Sequence, residues 1–453
     1  MFKRKTYNAG IGYRLFKAYV GFLHNYLLYR HFHVVNPENV PKEGTPLLIV
    51  SNHQNCLNDP LGVVFSFKDR KPNFIARADV FLIHPLANKF LRYLGLLPAF
   101  RLSFEGRSMI KNNNQTFSAA SKELLDGRTV MMFPEAGHQD KHWLGKFSLA
   151  YTKLVFQAAE EGNFEKEIFV LPSCNHYSKY DGFQTDFLIK FGTPVSAKPF
   201  YEMYKTQPRK ASMELNTLVR KQIEELMLNI RDLDNYKAID FIRNTTYGEK
   251  FAKENGYSSN HLPDRLLSDK LLCKLLENYN DQFIYDSAMK YKRLLMRFGL
   301  TDKHFDHQPK LFPVAIRTFI MLIFLPLWLI SLIPNIFIYT FPKVITRKMT
   351  DKMFNSTMFF GTAVFITIPL LYGGLFLIIS LIYNIFWALS YLIISPLLIL
   401  FAWYYYQRLR YLYSDINFLI LKRKAPFARL KLLHDKLYSR LNEIKNRHLH
   451  NQI

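Results

Sequence analysis

The stretch PLLIVSNHQNCLNDP, from Pro46 to Pro60, decides how the chain is interpreted. It opens with an apolar run that ends at Val50, and a short run of this kind is typical of a buried β-strand. A polar loop follows directly and contains one histidine, His53, and one aspartate, Asp59. Sites in sheets of parallel strands collect in the loops after the strands. The stretch therefore predicts a buried strand that delivers a histidine and a carboxylate to the edge of a sheet.

His53 and Asp59 are close enough in sequence for one loop to bring them into contact. If Asp59 accepts a hydrogen bond from one imidazole nitrogen, the other nitrogen can take a proton from an alcohol. The substrate hydroxyl is then the nucleophile, so no covalent enzyme intermediate is required. One histidine in a loop is also common as a satisfied polar residue near a core, so the pair needs support from the rest of the sequence.

Further apolar runs alternate with helical patterns between residues 46 and 195. The predicted strands are Pro46 to Ser51, Asn73 to Ala76, Thr129 to Phe133, Ile168 to Ser173 and Asp186 to Phe191. Strands separated by helices predict an α/β domain with a largely parallel sheet.

Three later segments carry residues that suit a site beside His53. A guanidinium fork suits a phosphate, and a carboxylate with a glycine suits the exit of a strand. The segments are LPAFR at 97–101, with Arg101 and the nearby Arg107; FPEAGH at 133–138, with Glu135 and Gly137; and VLPSCNHY at 170–177, where Pro172 is expected to end a strand.

These blocks, in this order and at these separations, resemble the glycerol-3-phosphate and lysophosphatidic acid acyltransferase superfamily. The pattern of that family is a His-x4-Asp block, an arginine-bearing block, a Phe-Pro-Glu-Gly block and a proline-bearing strand. The resemblance covers roughly Val40 to Pro194. It implies an α/β acyltransferase domain with a groove or tunnel for an acyl chain, and no cofactor.

The resemblance also implies substrates and residue roles. The donor is expected to be acyl-CoA or acyl-carrier protein, and the acceptor a phosphorylated glycerol, either glycerol 3-phosphate or 1-acyl-glycerol 3-phosphate. The implied roles are general base for His53, its partner for Asp59, phosphate ligand for Arg101, acceptor-site residues for Glu135 and Gly137, and part of the acyl-donor site for Pro172.

Two features depart from the family pattern. The first block here is His-x5-Asp, one residue longer than usual, and looks like the form found in the eukaryotic glycerol-3-phosphate/dihydroxyacetone-phosphate acyltransferase branch and its bacterial relatives. The extra residue would have to bulge for Asp59 to reach His53. The third block reads Phe-Pro-Glu-Ala-Gly, so Gly137 arrives one place late.

Several of these residues also have purely structural interpretations. Arg101 in isolation suits a surface salt bridge, Pro172 a strand terminator and Glu135 a helix-capping acid. Three histidines lack the carboxylate or thiolate spacing of a metal site, so we expect polar loop residues and no metal; they are His138, His142 and His176.

The chain divides into five predicted parts. They are an N-terminal amphipathic helix (1–35), the catalytic domain (36–200), a helical extension (201–310), a membrane region (311–407) and a basic C-terminal tail (408–453). Apolar and aromatic residues recur at helical spacing from Ile11 to Arg30, which suits either a membrane interface or packing on the protein's own core.

Two uncharged stretches define the membrane region, residues 318–342 and 353–407. At about 1.5 Å per residue the second forms about 80 Å of helix, enough to cross a roughly 30 Å core twice with a turn at Tyr383-Asn384. The first is interrupted by prolines. A re-entrant hairpin that turns at Pro334-Asn335 would keep the flanking basic residues, the catalytic domain and the tail on one side, as the positive-inside tendency favours.

The formal net charge of +24 favours an anionic partner. Because of the membrane segments we expect lipid rather than nucleic acid, for which no recognition signature is present. The three cysteines form no CxxC pair, which suits a reducing, cytosol-facing catalytic part. We expect an integral membrane acyltransferase whose catalytic domain faces the cytoplasm. The open alternatives are an acyltransferase for a non-phosphorylated aminolipid and a non-catalytic lipid-binding protein.

Overall fold

The structure is a computed structural model that describes residues 10–82, 84–99, 113–135, 137, 141–180, 182–338, 340, 344, 357 and 360–450. The chain forms two compact units. One comprises residues 1–229 and 349–360, and the other comprises residues 230–348 and 361–453.

The first unit is an α/β domain. Its strands are β1 (Tyr29–Val35), β2 (Leu47–Ser51), β3 (Asn73–Arg77), β4 (Leu96–Ala99), β5 (Thr129–Met132), β6 (Phe169–Tyr177), β7 (Thr185–Phe191) and β8 (Val195–Ser196). Its α-helices are α1 (Ile11–Phe22), α2 (Asn58–Ser66), α3 (Asp79–Leu82), α4 (Pro85–Tyr93), α5 (Asn113–Leu125), α6 (Ala150–Glu161), α7 (Tyr201–Thr206) and α8 (Pro208–Leu226). A π-helix, Leu23–Leu28, joins α1 to β1, and short 3₁₀ helices lie at Pro37–Asn39 and Lys198–Phe200.

The described strands form one sheet in the order β1-β7-β6-β2-β5-β3-β4, with β8 paired to β6. Strand β6 runs antiparallel to β7 and β8, and the other pairings are parallel. The predicted α/β fold with a largely parallel sheet is confirmed. Because β2 and β5 are parallel neighbours, the loops that follow them emerge at the same edge of the sheet.

Helices hold the central strands on both faces. On one face Leu48 and Val50 belong to a buried cluster with apolar residues of α6 and α8. On the other face α2 approaches so closely that a Cβ at Gly62 would contact Phe187 and Ile189 of β7. Glycine at position 62 therefore allows α2 to lie directly on the sheet, and this fixes the start of α2 near the ends of β2 and β6.

The N-terminal part differs from the prediction. The helical segment ends at Leu28, and residues from Tyr29 to Val35 form the edge strand β1, parallel to β7. The described N-terminal helix is therefore shorter than the predicted part, 1–35. The helical periodicity of the sequence reaches only Arg30, and the residues after it include aromatic and β-branched side chains that suit a strand.

Pro172 does not end a strand, because β6 continues to Tyr177. The carbonyl oxygen of Pro172 accepts a hydrogen bond from Gly192 N at 2.8 Å. Within a strand the N and C=O of one residue point to the same side, so the missing N–H also faces this side. On this side, β6 pairs with β8 before Pro172 and with β7 after it. Pro172 lies between the two pairings, so the sheet needs no N–H hydrogen bond from it.

Residues 201–229 lie in the first unit instead of the predicted helical extension. Helix α8 buries one stripe of apolar residues in the core cluster that also contains Leu48 and Val50. The stripe consists of Ala211, Leu215, Val219 and Ile223. Its spacing is that of one helix face, so the boundary moves to residue 230.

The second unit is helical in its described residues. Its α-helices are α9 (Tyr236–Arg243), α10 (Thr246–Glu254), α11 (Leu262–Tyr279), α12 (Gln282–Phe298), α13 (Leu311–Leu332), α14 (Gly373–Ile382), α15 (Ile385–Leu421) and α16 (Ala425–His450). Short 3₁₀ helices lie at Asp302–Phe305 and Ile333–Asn335, and a π-helix, Ala363–Tyr372, leads into α14.

Three described helices are long and apolar enough to cross a membrane: Leu311–Leu332, Phe360–Ile382 and Ile385–Leu421. The last two are separated at Tyr383 and Asn384, where the turn was predicted. Asn384 caps α15 by accepting a hydrogen bond from Trp387 N at 3.1 Å.

Two features of this unit differ from the prediction. The backbone stays helical through Ile333–Asn335 and into Ile336, so the chain does not turn back at Pro334-Asn335. The basic tail is also not a separate part, since residues 408–421 continue α15 and α16 follows. Helix α16 packs on the same unit, where Tyr438 donates to Asp302 at 2.7 Å.

Candidate active site

His53 and Asp59 are in contact at the end of β2. His53 Nδ1 and Asp59 Oδ2 are 2.8 Å apart. Asp59 lies in the first turn of α2, where the helix dipole favours negative charge, and it is fully buried. The structure thus forms the pair that the sequence suggested, with the carboxylate on one side of the imidazole.

The residue that lengthens the block is accommodated by a tight turn around the carboxylate. Asp59 Oδ2 also accepts the backbone N–H groups of Gln54 at 2.6 Å and Asn55 at 2.8 Å. Asn55 O accepts the N–H of Asn58 at 2.8 Å, and Cys56 adopts a positive φ of 21°. The expected bulge is therefore a turn in which the backbone itself binds the carboxylate.

A tyrosine from β6 completes the surroundings of Asp59. The hydroxyl of Tyr177 donates to Asp59 Oδ1 at 2.5 Å. With His53 and two backbone N–H groups, the carboxylate accepts four hydrogen bonds. Both oxygens of the buried carboxylate therefore have hydrogen-bond donors.

His53 keeps access to solvent although its partner is buried. Its side chain is 18% exposed, and its ring stacks on Phe133 with centroids 4.2 Å apart. Asp59 occupies Nδ1, so Nε2 is the nitrogen on which a substrate proton can be received. The stacking ring and the carboxylate together restrict the orientation of the imidazole.

Glu135 contacts protein backbone on both sides of its carboxylate. Its Oε1 accepts the N–H of His53 and its Oε2 accepts the N–H of Gly145, each at 2.8 Å. Burial raises the pKa of Glu135 to about 7, and the two N–H donors oppose that shift. In the structure Glu135 thus ties the His53 loop to a second loop, a contact not anticipated for a residue expected in the acceptor site.

The other predicted residues are less informative. Gly137 is exposed, and a Cβ there would meet no described atom within 4 Å, so no steric reason for glycine is apparent. Pro172 is buried inside β6. Arg101, Arg107 and His138 lie outside the described residues.

A buried amide pair joins the loop after β2 to β6. Asn52 Oδ1 accepts the N–H of Asn175 at 2.7 Å, and Asn52 Nδ2 donates to Asn175 O at 3.0 Å. Sequence reasoning missed this pair and Tyr177. The available signal was the polar composition of the segment after Pro172, which was interpreted as a loop.

His142 and His176 were expected to be polar loop residues, and His142 does lie in a loop, whereas His176 does not. His176 lies in β6, both side chains are buried, and their ring centroids are 5.2 Å apart. The hydroxyl of Tyr180 is 2.8 Å from His142 Nδ1. Within the described part of the chain no group of three or more His, Cys, Asp or Glu residues could hold a metal ion.

Comparison with known proteins identifies this part of the chain. Residues 31–176 match the family model described as Acyltransferase. The match includes His53, Asp59, Glu135 and Pro172, and it agrees with the acyltransferase resemblance recognised in the sequence.

One similar solved structure is the 1-acyl-sn-glycerophosphate (LPA) acyltransferase PlsC from Thermotoga maritima. It is 19% identical, the alignment covers 47% of this chain and 78% of that chain, and the TM-score is 0.34. No curated protein matches the chain.

Proposed function

We propose that this chain is a membrane-bound O-acyltransferase of phospholipid synthesis. It transfers a fatty-acyl group from acyl-CoA or acyl-carrier protein to a hydroxyl of glycerol 3-phosphate or 1-acyl-glycerol 3-phosphate. The observation that carries the proposal is the 2.8 Å contact between His53 Nδ1 and buried Asp59 at a strand exit of the acyltransferase domain.

His53 acts as the general base in this reaction. The acceptor oxygen attacks the thioester carbonyl carbon while its proton passes to His53 Nε2, so that a C–O bond forms and the carbonyl oxygen becomes an oxyanion. The intermediate collapses, the C–S bond breaks, and the thiolate leaves with the proton from His53 as a free thiol. General-base assistance contributes on the order of 10²- to 10⁴-fold, and backbone donors to the oxyanion roughly 10²- to 10³-fold.

The remaining site residues prepare this step. Asp59 fixes the tautomer and orientation of the imidazole, and Glu135 holds the loop that carries it. Arg101 pairs with the acceptor phosphate, a task that suits a planar guanidinium. Gly137 lies beside the acceptor and Pro172 beside the acyl donor.

A membrane location fits the chemistry because lysolipid and product partition into lipid. Three helices suitable for crossing and a net charge of +24 support attachment to an anionic leaflet. We place the catalytic domain on the cytoplasmic side, where acyl-CoA and acyl-carrier protein are formed.

The test of the proposed function is an acceptor panel. Detergent-solubilised full-length protein receives acyl-CoA, or an acyl-carrier protein thioester, with glycerol 3-phosphate, dihydroxyacetone phosphate, lysophosphatidic acid or a non-phosphorylated aminolipid. We expect thiol release that depends on a phosphorylated acceptor, with the ester confirmed by mass spectrometry. If thiol is released only with the aminolipid, the acceptor is a non-phosphorylated lipid and not a phosphorylated glycerol. If the protein binds lipid but releases no thiol from either donor, it does not catalyse acyl transfer.

A further inference from the structure

We propose that Tyr177 is a positioning residue of the active site, acting on His53 through Asp59. This inference rests on the proposed function, because it assigns a third member to the pair that performs the proton transfer.

Tyr177 is held rigidly where it can do this. It is the last residue of β6 and is fully buried, and its ring stacks on Phe187 with centroids 4.3 Å apart and planes 1° apart. The hydroxyl reaches Asp59 Oδ1 at 2.5 Å, which is short for a hydrogen bond to a charged oxygen. If Tyr177 only filled space in the core, a phenylalanine ring without the hydroxyl would be enough.

The two oxygens of Asp59 have separate tasks. Oδ2 receives Nδ1–H of His53 and the two backbone N–H groups, whereas Oδ1 receives the Tyr177 hydroxyl. Removing the hydroxyl would leave a buried carboxylate oxygen without its donor among the described residues. A buried acceptor that loses its donor is strongly destabilised, so the geometry that Asp59 imposes on His53 would be disturbed.

The hydroxyl remains a donor over the working pH range. Burial, together with the charge of Asp59, raises the pKa of Tyr177 well above its usual value. The titratable groups that face Tyr177 are Asp59, Tyr29 of β1 and Tyr180. Glu135 binds the backbone of His53 on the other side of the loop.

Tyr177→Phe removes the oxygen and keeps the ring on Phe187. We expect kcat to fall about 10- to 100-fold with little change in KM, as when a hydrogen bond to a charged group is lost. The acid limb of the kcat/KM profile should move to higher pH. Without the donated proton the carboxylate is less stabilised and holds more charge toward His53, so the His53–Asp59 pair takes up a proton more readily.

The matched control is Tyr151→Phe. Tyr151 is another buried tyrosine of this unit, in α6, and its hydroxyl has no hydrogen-bond partner in the described part of the chain. Its kcat and acid limb should match those of the wild type. A double-mutant cycle adds a second readout, since Tyr177→Phe should have little further effect on kcat in an Asp59→Asn background.

An unchanged acid limb with reduced kcat, or additive effects in the cycle, would overturn the inference and leave a packing role. If Tyr177→Phe does not fold, a ring-fluorinated tyrosine at position 177 serves instead. Its hydroxyl is a stronger donor, so the limb should move to lower pH, and an unmoved limb would again reject the role. If His53→Ala is as active as the wild type, the proposed function fails, whatever Tyr177 does.

Discussion

The carboxyl group of Glu135 joins two backbone segments of the candidate active site, those of His53 and Gly145, while it is partly withdrawn from water. Folding raises its pKa from 4.5 to about 7, so between these values the folded protein binds more protons than the unfolded chain. Stability from this group is therefore present below about pH 4.5 and is lost as the pH rises toward 7.

We expect the thermal midpoint of the wild type, relative to Glu135→Gln, to fall as the pH is raised through this window. The measurement is a series of melting scans of both proteins in detergent. Glu165→Gln is the control, because Glu165 is exposed and lies in the turn after α6. If the difference in thermal midpoint between the wild type and Glu135→Gln is the same at every pH, Glu135 does not titrate in this way.

The contact between His53 and Asp59 could be predicted from the sequence, but its surroundings could not. Both residues lie in one short polar segment after an apolar run. Tyr177 is 118 positions from Asp59, and Glu135 is 82 positions from His53. Contacts over such separations depend on strand order and register, which the pattern within one segment does not encode.

The elements were predicted best where the strand was uniformly apolar. All of β2 is buried, and its apolar run ends at Val50, one residue before the end of the strand. Strand β6 was predicted too short, ending at Ser173, because Asn175 and His176 look like loop residues. Inside the domain, the side chain of Asn52 bonds both the backbone N–H and the backbone C=O of Asn175.

Helices α1 and α4 leave apolar side chains exposed on the catalytic unit. They lie side by side, with Phe16 and Phe90 in edge contact at 5.5 Å. The exposed residues of the helical segment are Ile11, Leu15, Tyr19, Phe22 and Tyr26, and those of α4 are Leu86, Phe90 and Tyr93. Helical spacing puts each set on one face, so the interfacial interpretation of the N-terminal helix remains our prediction, extended to α4.

Spin labels at Leu15→Cys and Leu86→Cys, which are 67% and 70% exposed, should lie in the lipid headgroup region of nanodiscs. Collision with a lipid-soluble relaxation agent measures this directly. Met213→Cys, at 51% exposure on α8, is the control and should contact only the water-soluble agent. If the labels at all three positions collide equally with the water-soluble agent, α1 and α4 do not lie at the membrane interface.

The whole molecule poses a question of topology, since α13 and α15 run antiparallel. Tyr405 donates to Met321 O at 2.6 Å, and Trp328 donates to Ala402 O at 3.1 Å. Asp415 in α15 pairs with Arg317 near the start of α13 at 2.7 Å. The beginning of α13 and the end of α15 therefore lie at the same end of the helical unit.

Three complete crossings would separate these two ends, so we expect an even number. If the first apolar stretch enters the membrane and returns to the same side, as predicted, the number of complete crossings is even. The chain does not, however, reverse its direction at Pro334-Asn335, where this turn was predicted. Single cysteines at Lys348 and Tyr413, in a Cys56→Ser background, should be labelled from the same side of sealed vesicles. A cysteine at Tyr383 should be labelled from the other side, and opposite labelling of Lys348 and Tyr413 would reject this topology.

Hydropathy and charge thus predicted a membrane region and its second turn, while long-range packing decided the boundaries. Residues 201–229 looked like part of an extension because their helical pattern does not reveal which sheet they cover. Residues 408–453 were predicted to be a separate basic tail because of their charge, yet α16 packs on the helical unit through buried contacts such as that of Tyr438 with Asp302.

Proton transfer to His53 is the central claim, and acceptor-dependent thiol release by His53→Ala tests it most directly. The assay uses full-length protein in detergent with the acceptor that the wild type prefers. The control is His31→Ala, which disrupts another His–Asp pair among the described residues of this unit, that of His31 with Asp186. We expect His53→Ala to lose on the order of 10²-fold or more of the turnover and His31→Ala to keep most of it. Retention of more than about a few per cent of the wild-type turnover by folded His53→Ala would contradict general-base catalysis by this residue.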